Sequence, residues 1–429
     1  MSIRIHGGRL VDPANERDEI CDLLIDDGRI AGVGRAPRGF KPETVIDATG
    51  LVVCPGFVEL GARLREPGFE HKATIAGEAR AAAMNGITTI VCTPDTLPVM
   101  DTPAVAEHVN QRAPRTRAAR VRYLGALTVG LEGRVLAEMQ ALRDGGCVGV
   151  TNVERAIVDT AVLRNALAYA ATAGLTVFLQ SEDYWLGRQG AMHEGATSTR
   201  LGVPGIPAAA ETIAIQRDIA LVAETGVTAH FCRLSSAASV KVVAEARKAG
   251  LPVSADVGIM NLCFTDEDVD GYDANLHVRP PLRSAHDRAG LRLGVKRGQI
   301  EAVSAYHEPH DADAKAAPFM LTEPGASTLD AFLPALLDCV AHDLFDLPTA
   351  IRAASTAPHR ILGQRGGDLS PGQPADVCLF DPRAGWGASM ATLASAGKNS
   401  PWLGRALTGK VMMTIVDGRI VYDGFGARR

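Results

Sequence analysis

Positions 61 and 63 of this 429-residue chain lie two residues apart in the strand-like run FVELGAR. Side chains at this spacing point to the same side of a strand, so two histidines placed there can bind one metal ion. Gly61 offers no ligand, whereas Arg63 offers five N–H donors, no lone pair and a fixed positive charge. This strand end therefore offers no metal ligand at either position.

A second candidate is the one His-x-x-His of the sequence, formed by His307 and His310. Two imidazoles in a loop could bind a metal ion, but a zinc site needs three or four ligands. No third ligand is evident beside them. We therefore expect a structural role for this pair.

Acidic residues near predicted strand ends are the remaining candidates. Glu182 and Asp183 follow one such strand and admit two interpretations, catalytic carboxylates or ion-pair partners. We favour the second, because a buried guanidinium without a partner costs several kcal/mol. Glu182, Asp183 or Glu59 is accordingly expected to balance Arg63 and Arg233.

Short apolar strands alternate with helical stretches through the middle of the chain. The patterns predict helices at 75–84, 156–173, 217–224 and 240–248, and strands at 88–93, 175–179, 228–232 and 253–257. Such alternation over roughly 300 residues is typical of a parallel βα architecture. Because the count approaches eight units, we predict an α/β fold with a (β/α)8 barrel.

Both ends of the chain are instead rich in β structure. An Asp-Gly turn lies between two strand-like runs near residues 22–34, and the pattern recurs near residues 412–422. The two hairpins even share the tetrapeptide DGRI, at 27–30 and 417–420. We expect a small composite β domain from both termini, residues 1–54 with 365–429, beside a barrel at 55–364.

Several segments along nearly the whole chain resemble the dihydroorotase family of the amidohydrolase superfamily. They are VVCPGFV at 52–58, LREPG at 64–68, LGVPGIP at 201–207, PPLRS at 280–284, RILG at 360–363 and PADVCLFD at 374–381. The resemblance implies an amidohydrolase-type barrel. It does not by itself imply the activity.

The resemblance also implies where metal ligands would lie. Barrel ends in this family bear His and acidic ligands to one or two Zn²⁺ ions, which generate hydroxide. The matching positions here carry Gly61, Arg63, Asn152 (or its neighbour Val153), Gln180, Arg233 and Tyr306, the last at the position of the catalytic Asp. At an effective dielectric of about 20, each guanidinium would repel a metal by roughly 4 kcal/mol per unit charge. We expect no metal and no catalytic residue.

The family's substrate-binding positions are partly kept. Arg65 and His310 match residues that the resemblance assigns to the substrate carboxylate. Asp95 and Arg279 stand where the family usually has Asn. A carboxylate at 95 would oppose an anionic substrate, and Arg279 could offset it. These four residues are expected to form a vestigial pocket.

Composition excludes some classes of function. A net charge of -5 without basic runs gives no sign of nucleic-acid or membrane binding. No apolar run approaches the roughly 18 residues of a membrane span. Eight scattered cysteines without a CxxC motif indicate reduced structural thiols, and we expect a cytoplasmic protein.

The leading hypothesis is a non-catalytic protein without a cofactor. The chain is similar to inactive dihydroorotase homologues that accompany aspartate transcarbamoylase in some bacteria. That resemblance implies the transcarbamoylase catalytic subunit as partner, and we expect a homo-oligomer, a dimer. Two alternatives stay open: an active cyclic-amide hydrolase with a remodelled site, and a free-standing scaffold for another protein.

Overall fold

The structure is a computed structural model that describes residues 2–112 and 117–425. Its strands, in chain order, are β1 Ile3–Asp12, β2 Arg17–Asp26, β3 Arg29–Val33, β4 Thr44–Asp47, β5 Val52–Pro55, β6 Phe57–Ala62, β7 Ile87–Cys92, β8 Arg120–Tyr123, β9 Gly125–Ala126, β10 Val150–Thr151, β11 Val177–Leu179, β12 Met192–His193, β13 Gly205–Ile206, β14 Ala229–Phe231, β15 Val253–Gly258, β16 Ala302–Ser304, β17 Val377–Gly387, β18 Ala406–Val416 and β19 Arg419–Asp423. Its α-helices are α1 Ile75–Met84, α2 Pro103–Arg112, α3 Met139–Asp144, α4 Thr160–Thr172, α5 Tyr184–Gly187, α6 Ala196–Leu201, α7 Ala209–Thr225, α8 Ala237–Lys248, α9 Ile259–Cys263, α10 Ala285–Lys296, α11 Leu329–Ala341, α12 Leu347–Ile351 and α13 Ala357–Ile361.

The central strands form a parallel barrel. One sheet has the order β6-β7-β8, and a second has the order β9-β10-β11-β14-β15-β16. Only Leu124 separates β8 from β9, so the two act as one barrel strand. Beside β6 and β16, the backbone N–H of Arg63 donates to the carbonyl of His307 at 2.9 Å. Eight parallel strands with helices between them confirm the predicted barrel, and their carboxyl ends meet at one mouth.

Several helix starts differ from the predicted ones. The predicted helix at 156–173 begins only at Thr160, because the Asp159 carboxylate accepts hydrogen bonds from the N–H groups of Ala161 and Val162. The helix predicted at 217–224 is longer and begins at Ala209. The helix predicted at 75–84 has those bounds.

A separate sheet, outside the barrel, combines strands from both ends of the chain. Its order is β19-β18-β17-β5-β1-β2-β3, with β4 paired to β1. The repeated DGRI tetrapeptides form the two hairpin turns, in which both Asp and Gly have positive φ, as type I′ turns require. A Cβ on Gly418 would lie 2.6 Å from Gly28 Cα. The two turns therefore pack directly against each other, and neither glycine tolerates a side chain.

The described part of the chain contains no helix that is long and apolar enough to cross a membrane. All eight cysteines lie within it, and none forms a disulfide.

Candidate functional site

Gly61 lies beneath the ring of Tyr306 at the barrel mouth. A Cβ on Gly61 would lie 2.8 Å from Tyr306 Cε1, closer than non-bonded carbon atoms approach. The Arg233 guanidinium stacks over the same ring, with its central carbon 4.2 Å from the ring centre. Position 61 can therefore bear an imidazole only if Tyr306 moves.

Arg63 binds three carboxylates from three different strand ends. Its Nε lies 2.5 Å from Asp95 Oδ2, and its two terminal nitrogens form ion pairs with Glu154 and Glu308. These acids follow β7, β10 and β16, and the Arg63 side chain is buried. The planar guanidinium presents donors on all three sides, so it can join carboxylates that converge from separate strands.

Arg233 completes the network from the end of β14. Its Nη1 lies 2.5 Å from Glu308 Oε1 and donates to the carbonyl of Arg279 at 3.0 Å. Glu308 is thus shared by two buried guanidiniums, Arg63 and Arg233. Such bridging offsets the desolvation cost of burying both cations and the carboxylate.

The network holds its carboxylates ionised. Burial alone would raise the pKa of Asp95, but the Arg63 charge lowers it to about 2. Burial likewise opposes ionisation of Glu308, and the positive charges of Arg233 and Arg63 outweigh it, so its pKa lies well below the usual range. The site is therefore a fixed set of charge pairs at neutral pH.

Asp256, in the middle of β15, holds Tyr306, Arg233 and His230 in place through hydrogen bonds. It accepts hydrogen bonds from the Tyr306 hydroxyl, from the Arg233 backbone N–H at 2.6 Å and from His230 Nε2 at 3.1 Å. His230 Nδ1 lies 2.8 Å from the hydroxyl of Ser254. Burial and the Asp256 charge raise the pKa of Tyr306 well above its ordinary value. The phenol thus stays protonated and acts as a fixed donor.

The other two predicted ligand positions lie outside this network. Asn152 accepts from the Thr128 hydroxyl at 2.8 Å and donates to the carbonyls of Arg155 and Leu131, at 2.7 Å and 3.3 Å. Gln180 lies 3.5 Å from the carbonyl of Arg279. Both side chains tie loops together.

The predicted substrate positions all line one open cleft at the mouth, with a volume of about 860 Å³. Arg65 donates to the carbonyl of Pro309 at 2.9 Å and lies 3.0 Å from His310 Nε2. Burial and the nearby Arg65 lower the pKa of His310 to about 3, so its ring is neutral. Asp95 pairs with Arg63, and Arg279 pairs with Glu182. Arg279 therefore does not offset Asp95; each charge has its own partner.

The prediction that Glu182, Asp183 or Glu59 balances Arg63 and Arg233 is wrong. Glu182 pairs with Arg279, and Asp183 caps α5 by accepting from the Leu186 N–H at 3.0 Å. Glu59 accepts three backbone N–H groups, those of Gly61, Ala305 and Tyr306. Burial raises the pKa of Glu59 to about 7 despite these bonds. Glu59 fails because it lies within β6, inside the barrel wall, whereas Glu182 and Asp183 lie beyond the end of β11 and meet nearer partners.

The two histidines of the His-x-x-His do not share a site. His307 Nδ1 accepts from the Thr328 N–H at 3.1 Å, which leaves Nε2 to donate to Glu78 at 2.8 Å. His310 faces the cleft instead. Burial would raise the pKa of Glu78, but the hydrogen bond from His307 and one from the Ala396 N–H outweigh it, so the pKa is lowered. The pair therefore anchors the loop after β16 through His307 and lines the cleft through His310.

The sequence reasoning missed Glu154, Glu308 and Asp256. Each had a local signal: Glu154 and Glu308 follow strands by a few residues, and Asp256 interrupts the apolar run of β15. A buried acid in such a position requires a cation or several donors.

The residues at the mouth do not fit the dinuclear zinc centre that the resemblance implies. The Arg63 guanidinium fills the space between the three converging carboxylates, and the Tyr306 ring covers Gly61. Within residues 2–112 and 117–425, no group of three or more His, Cys, Asp or Glu side chains is arranged to hold a metal ion. The carboxylates at the mouth bind guanidinium groups instead of a metal ion.

Comparisons with known proteins agree with this architecture. Residues 50–239 match the family model described as "Dihydro-orotase-like". The chain is 46% identical to a "Dihydroorotase-like protein" of Pseudomonas putida, over 98% of this chain and 99% of that one. It is 38% identical to a "Dihydroorotase" of Geotalea daltonii, over 98% and 99% of the two chains.

A solved structure, the L-hydantoinase (dihydropyrimidinase) from Arthrobacter aurescens, superimposes with a TM-score of 0.87 at 22% identity, over 98% of this chain and 96% of that one. At this identity the likeness shows the fold, which is the amidohydrolase barrel with a β domain. The full-length match to the Pseudomonas relative goes further. The chain belongs to the dihydroorotase-like family of the amidohydrolase superfamily.

Proposed function

We propose that this chain is a non-catalytic member of its family that serves as an assembly subunit for aspartate transcarbamoylase in the cytoplasm. One observation carries the proposal: position 63, where the resemblance implies a histidine ligand, holds a guanidinium that lies among Asp95, Glu154 and Glu308. An arginine supplies charge without a lone pair, so it cannot activate water.

The acids that meet arginines at the mouth, and His310, are poor candidates for a substitute general base. Hydrolysis of an amide needs a general base that reaches an attacking water. Asp95, Glu154 and Glu308 are engaged by arginines, Glu182 by Arg279, and the His310 ring has a pKa of about 3. A base with so low a pKa is almost unable to accept a proton at neutral pH.

The partner comes from the family resemblance, and the relatives' names are compatible with it. The Pseudomonas putida and Pseudomonas aeruginosa relatives bear the name "Dihydroorotase-like protein", whereas the Geotalea relative bears "Dihydroorotase". We propose a homodimer that joins transcarbamoylase catalytic subunits in a larger particle. Association would stabilise the partner by mass action.

A remodelled cyclic-amide hydrolase remains the second candidate. The observation in its favour is the cleft itself, which stays open and keeps Arg65 beside His310. A substrate carboxylate could reach that guanidinium. Among the described acids that line the cleft, Glu132 is the one without an ion pair, and the reaction would depend on it as the base.

Two measurements on the full-length protein separate these functions. The first is dihydroorotate hydrolysis with and without added Zn²⁺, with metal analysis of the purified chain and the Geotalea enzyme as positive control. We expect no turnover and no stoichiometric zinc. Turnover that a chelator abolishes would refute the non-catalytic assignment.

The second measurement is the mass and turnover of the organism's transcarbamoylase, expressed with and without this chain. We expect a larger and more active particle in its presence. If the mass, stability and turnover of the transcarbamoylase are unchanged, the free-standing scaffold becomes the better hypothesis.

Restoring two histidines should not restore catalysis. In the double variant G61H/R63H, Gln180 and Asn152 still supply no imidazole or carboxylate, and Tyr306 still covers position 61. Hydrolysis by this variant above the wild-type background would show that other residues complete the metal site.

A further inference from the structure

A rigid group of exposed aromatic and apolar side chains stands at the edge of the cleft. Tyr184, Trp185 and Leu186 are consecutive in α5 and are 43%, 63% and 41% exposed. The Tyr184 and Trp185 rings meet edge to face at 5.0 Å, and the Arg188 guanidinium lies 4.7 Å from the Trp185 ring. Asp183 caps the helix that presents them. Pre-ordered Trp, Tyr and Arg side chains are the residues that dominate binding energy at protein interfaces.

Positive charge without an ion-pair partner collects on the same rim. Arg134, Arg155 and Arg188 line the cleft, and none forms an ion pair with a carboxylate in the described chain. Arg155 donates to the carbonyl of Gly130 at 3.3 Å. The carboxylates deeper in the cleft are already bound by other cations, which leaves Glu132 as the one lining acid without an ion pair among the described residues. The rim thus carries an unbalanced positive charge, although the whole chain has a net charge of -5.

The two features lie side by side, and together they define the chemistry of an occupant. Exposed arginines favour carboxylates, which they bind through paired N–H donors. Much of the apolar surface of Trp185 and Leu186 is exposed to water, and a small anion bound in the cleft would not cover it. A protein surface docked on the rim would cover these side chains and remove them from water. Apolar area beside unpaired cations therefore fits an acidic protein segment that also brings apolar side chains.

We propose that this rim, the surface formed by Arg134, Arg155, Arg188, Tyr184, Trp185 and Leu186, is where the chain docks an acidic segment of its partner. The inference rests on the proposed assembly function and names the surface that performs it. The open cleft then serves as a recess for the partner segment. Arginine–carboxylate contacts at the rim set orientation and association rate, and the aromatic group supplies most of the affinity.

The test uses the full-length chain with the organism's transcarbamoylase catalytic subunit. Hydrogen–deuterium exchange of the wild-type complex should show protection in segments 129–135, 154–157 and 182–190. The variant W185A should weaken association roughly 30-fold, and the triple variant R134E/R155E/R188E should weaken it further. Raising the salt concentration to about 0.5 M should weaken the wild-type complex much more than that of the triple variant, because ions screen exposed charges.

Matched controls are I20A and R38E, which change an exposed isoleucine and an exposed arginine in the terminal β region, far along the chain from the rim. Both should bind like the wild type. The rim side chains are exposed, so thermal unfolding should be unchanged in every variant.

The outcomes distinguish this inference from the proposed function. If the wild-type chain forms no particle with transcarbamoylase, the proposed function fails. If the particle forms but the rim stays unprotected and the rim variants bind normally, only the docking surface is refuted. Rim protection by a second copy of this chain alone, or by inorganic phosphate alone, would also overturn it, because the occupant would then be the chain itself or a small anion.

Discussion

Replacing Arg63 by methionine tests whether the guanidinium holds the barrel mouth together. The variant R63M leaves Asp95 and Glu154 without their cation, and Glu308 keeps only Arg233. Removing one partner of a buried ion pair typically costs about 3–5 kcal/mol. The lowered pKa of Asp95 gives a second measure of this loss in stability. A value of about 2 against an ordinary 3.8 corresponds to about 2.5 kcal/mol. We therefore expect the free energy of unfolding to fall by at least about 3 kcal/mol at pH 8.

The pH dependence of this loss has a definite sign. In the wild type, Asp95 has a lowered pKa, so its contribution is present above about pH 4 and disappears only as pH falls toward 2. In R63M, burial without the cation raises the pKa of Asp95. The penalty is then complete at high pH and is relieved as the acids take up protons. The difference between variant and wild type should shrink between pH 8 and pH 5.

The assay is urea unfolding followed by far-ultraviolet circular dichroism at both pH values, with thermal midpoints at one scan rate as a second readout. R38M is the control, because it removes an exposed arginine and should change stability by less than about 0.5 kcal/mol. A loss below about 1 kcal/mol in R63M, or a loss that grows toward pH 5, would refute the reasoning.

Three further perturbations address the layer around the network. G61A should cost about 1–3 kcal/mol in thermal unfolding, because its methyl meets the Tyr306 ring at 2.8 Å, whereas G385A, with open space around the Cβ, should be neutral; equal midpoints would contradict the contact. Y306F removes a buried donor to Asp256 and should cost about 1–3 kcal/mol by urea unfolding, and a stability equal to the wild type would show that Asp256 finds another donor. His310, with a pKa of about 3, should show no change in its imidazole NMR shifts between pH 8 and pH 5, and a midpoint near 6.5 would place its ring in solvent.

Much of the barrel could be predicted from the sequence, because strand and helix periodicities repeat along the chain. The helix at 75–84 was predicted at its observed bounds, since the Ala-rich run is preceded by Thr74, whose hydroxyl accepts from the Gly77 N–H. The start of α4 could not be placed in the same way. The apolar residues before Asp159 continue the helical pattern, and the hydrogen bonds of its carboxylate to the N–H groups of Ala161 and Val162 start the helix later.

The site was only partly predictable for a related reason. That positions 61 and 63 offer no metal ligand is visible in the residues themselves. The partner of Arg63 is not, because Asp95, Glu154 and Glu308 lie 32, 91 and 245 residues away in sequence, and only the closure of the barrel brings them together. Glu59, two residues from Gly61, was the more obvious local candidate. It fails because it lies within β6, where its oxygens meet backbone N–H groups instead of the mouth.

The charges at the mouth explain how the barrel accommodates carboxylates that converge from three strands. Parallel strands bring Asp95, Glu154 and Glu308 together, and three ionised carboxylates at one point repel each other unless a cation lies between them. Arg63 and Arg233 supply covalently attached positive charge, and Arg65 lies close enough to Asp95 and Glu308 to feel their charge. Because these cations belong to the chain, the mouth is neutralised as the barrel closes and needs no metal supply. A charge-balanced mouth of this kind is suited to presenting a constant surface, which the assembly role proposed above requires.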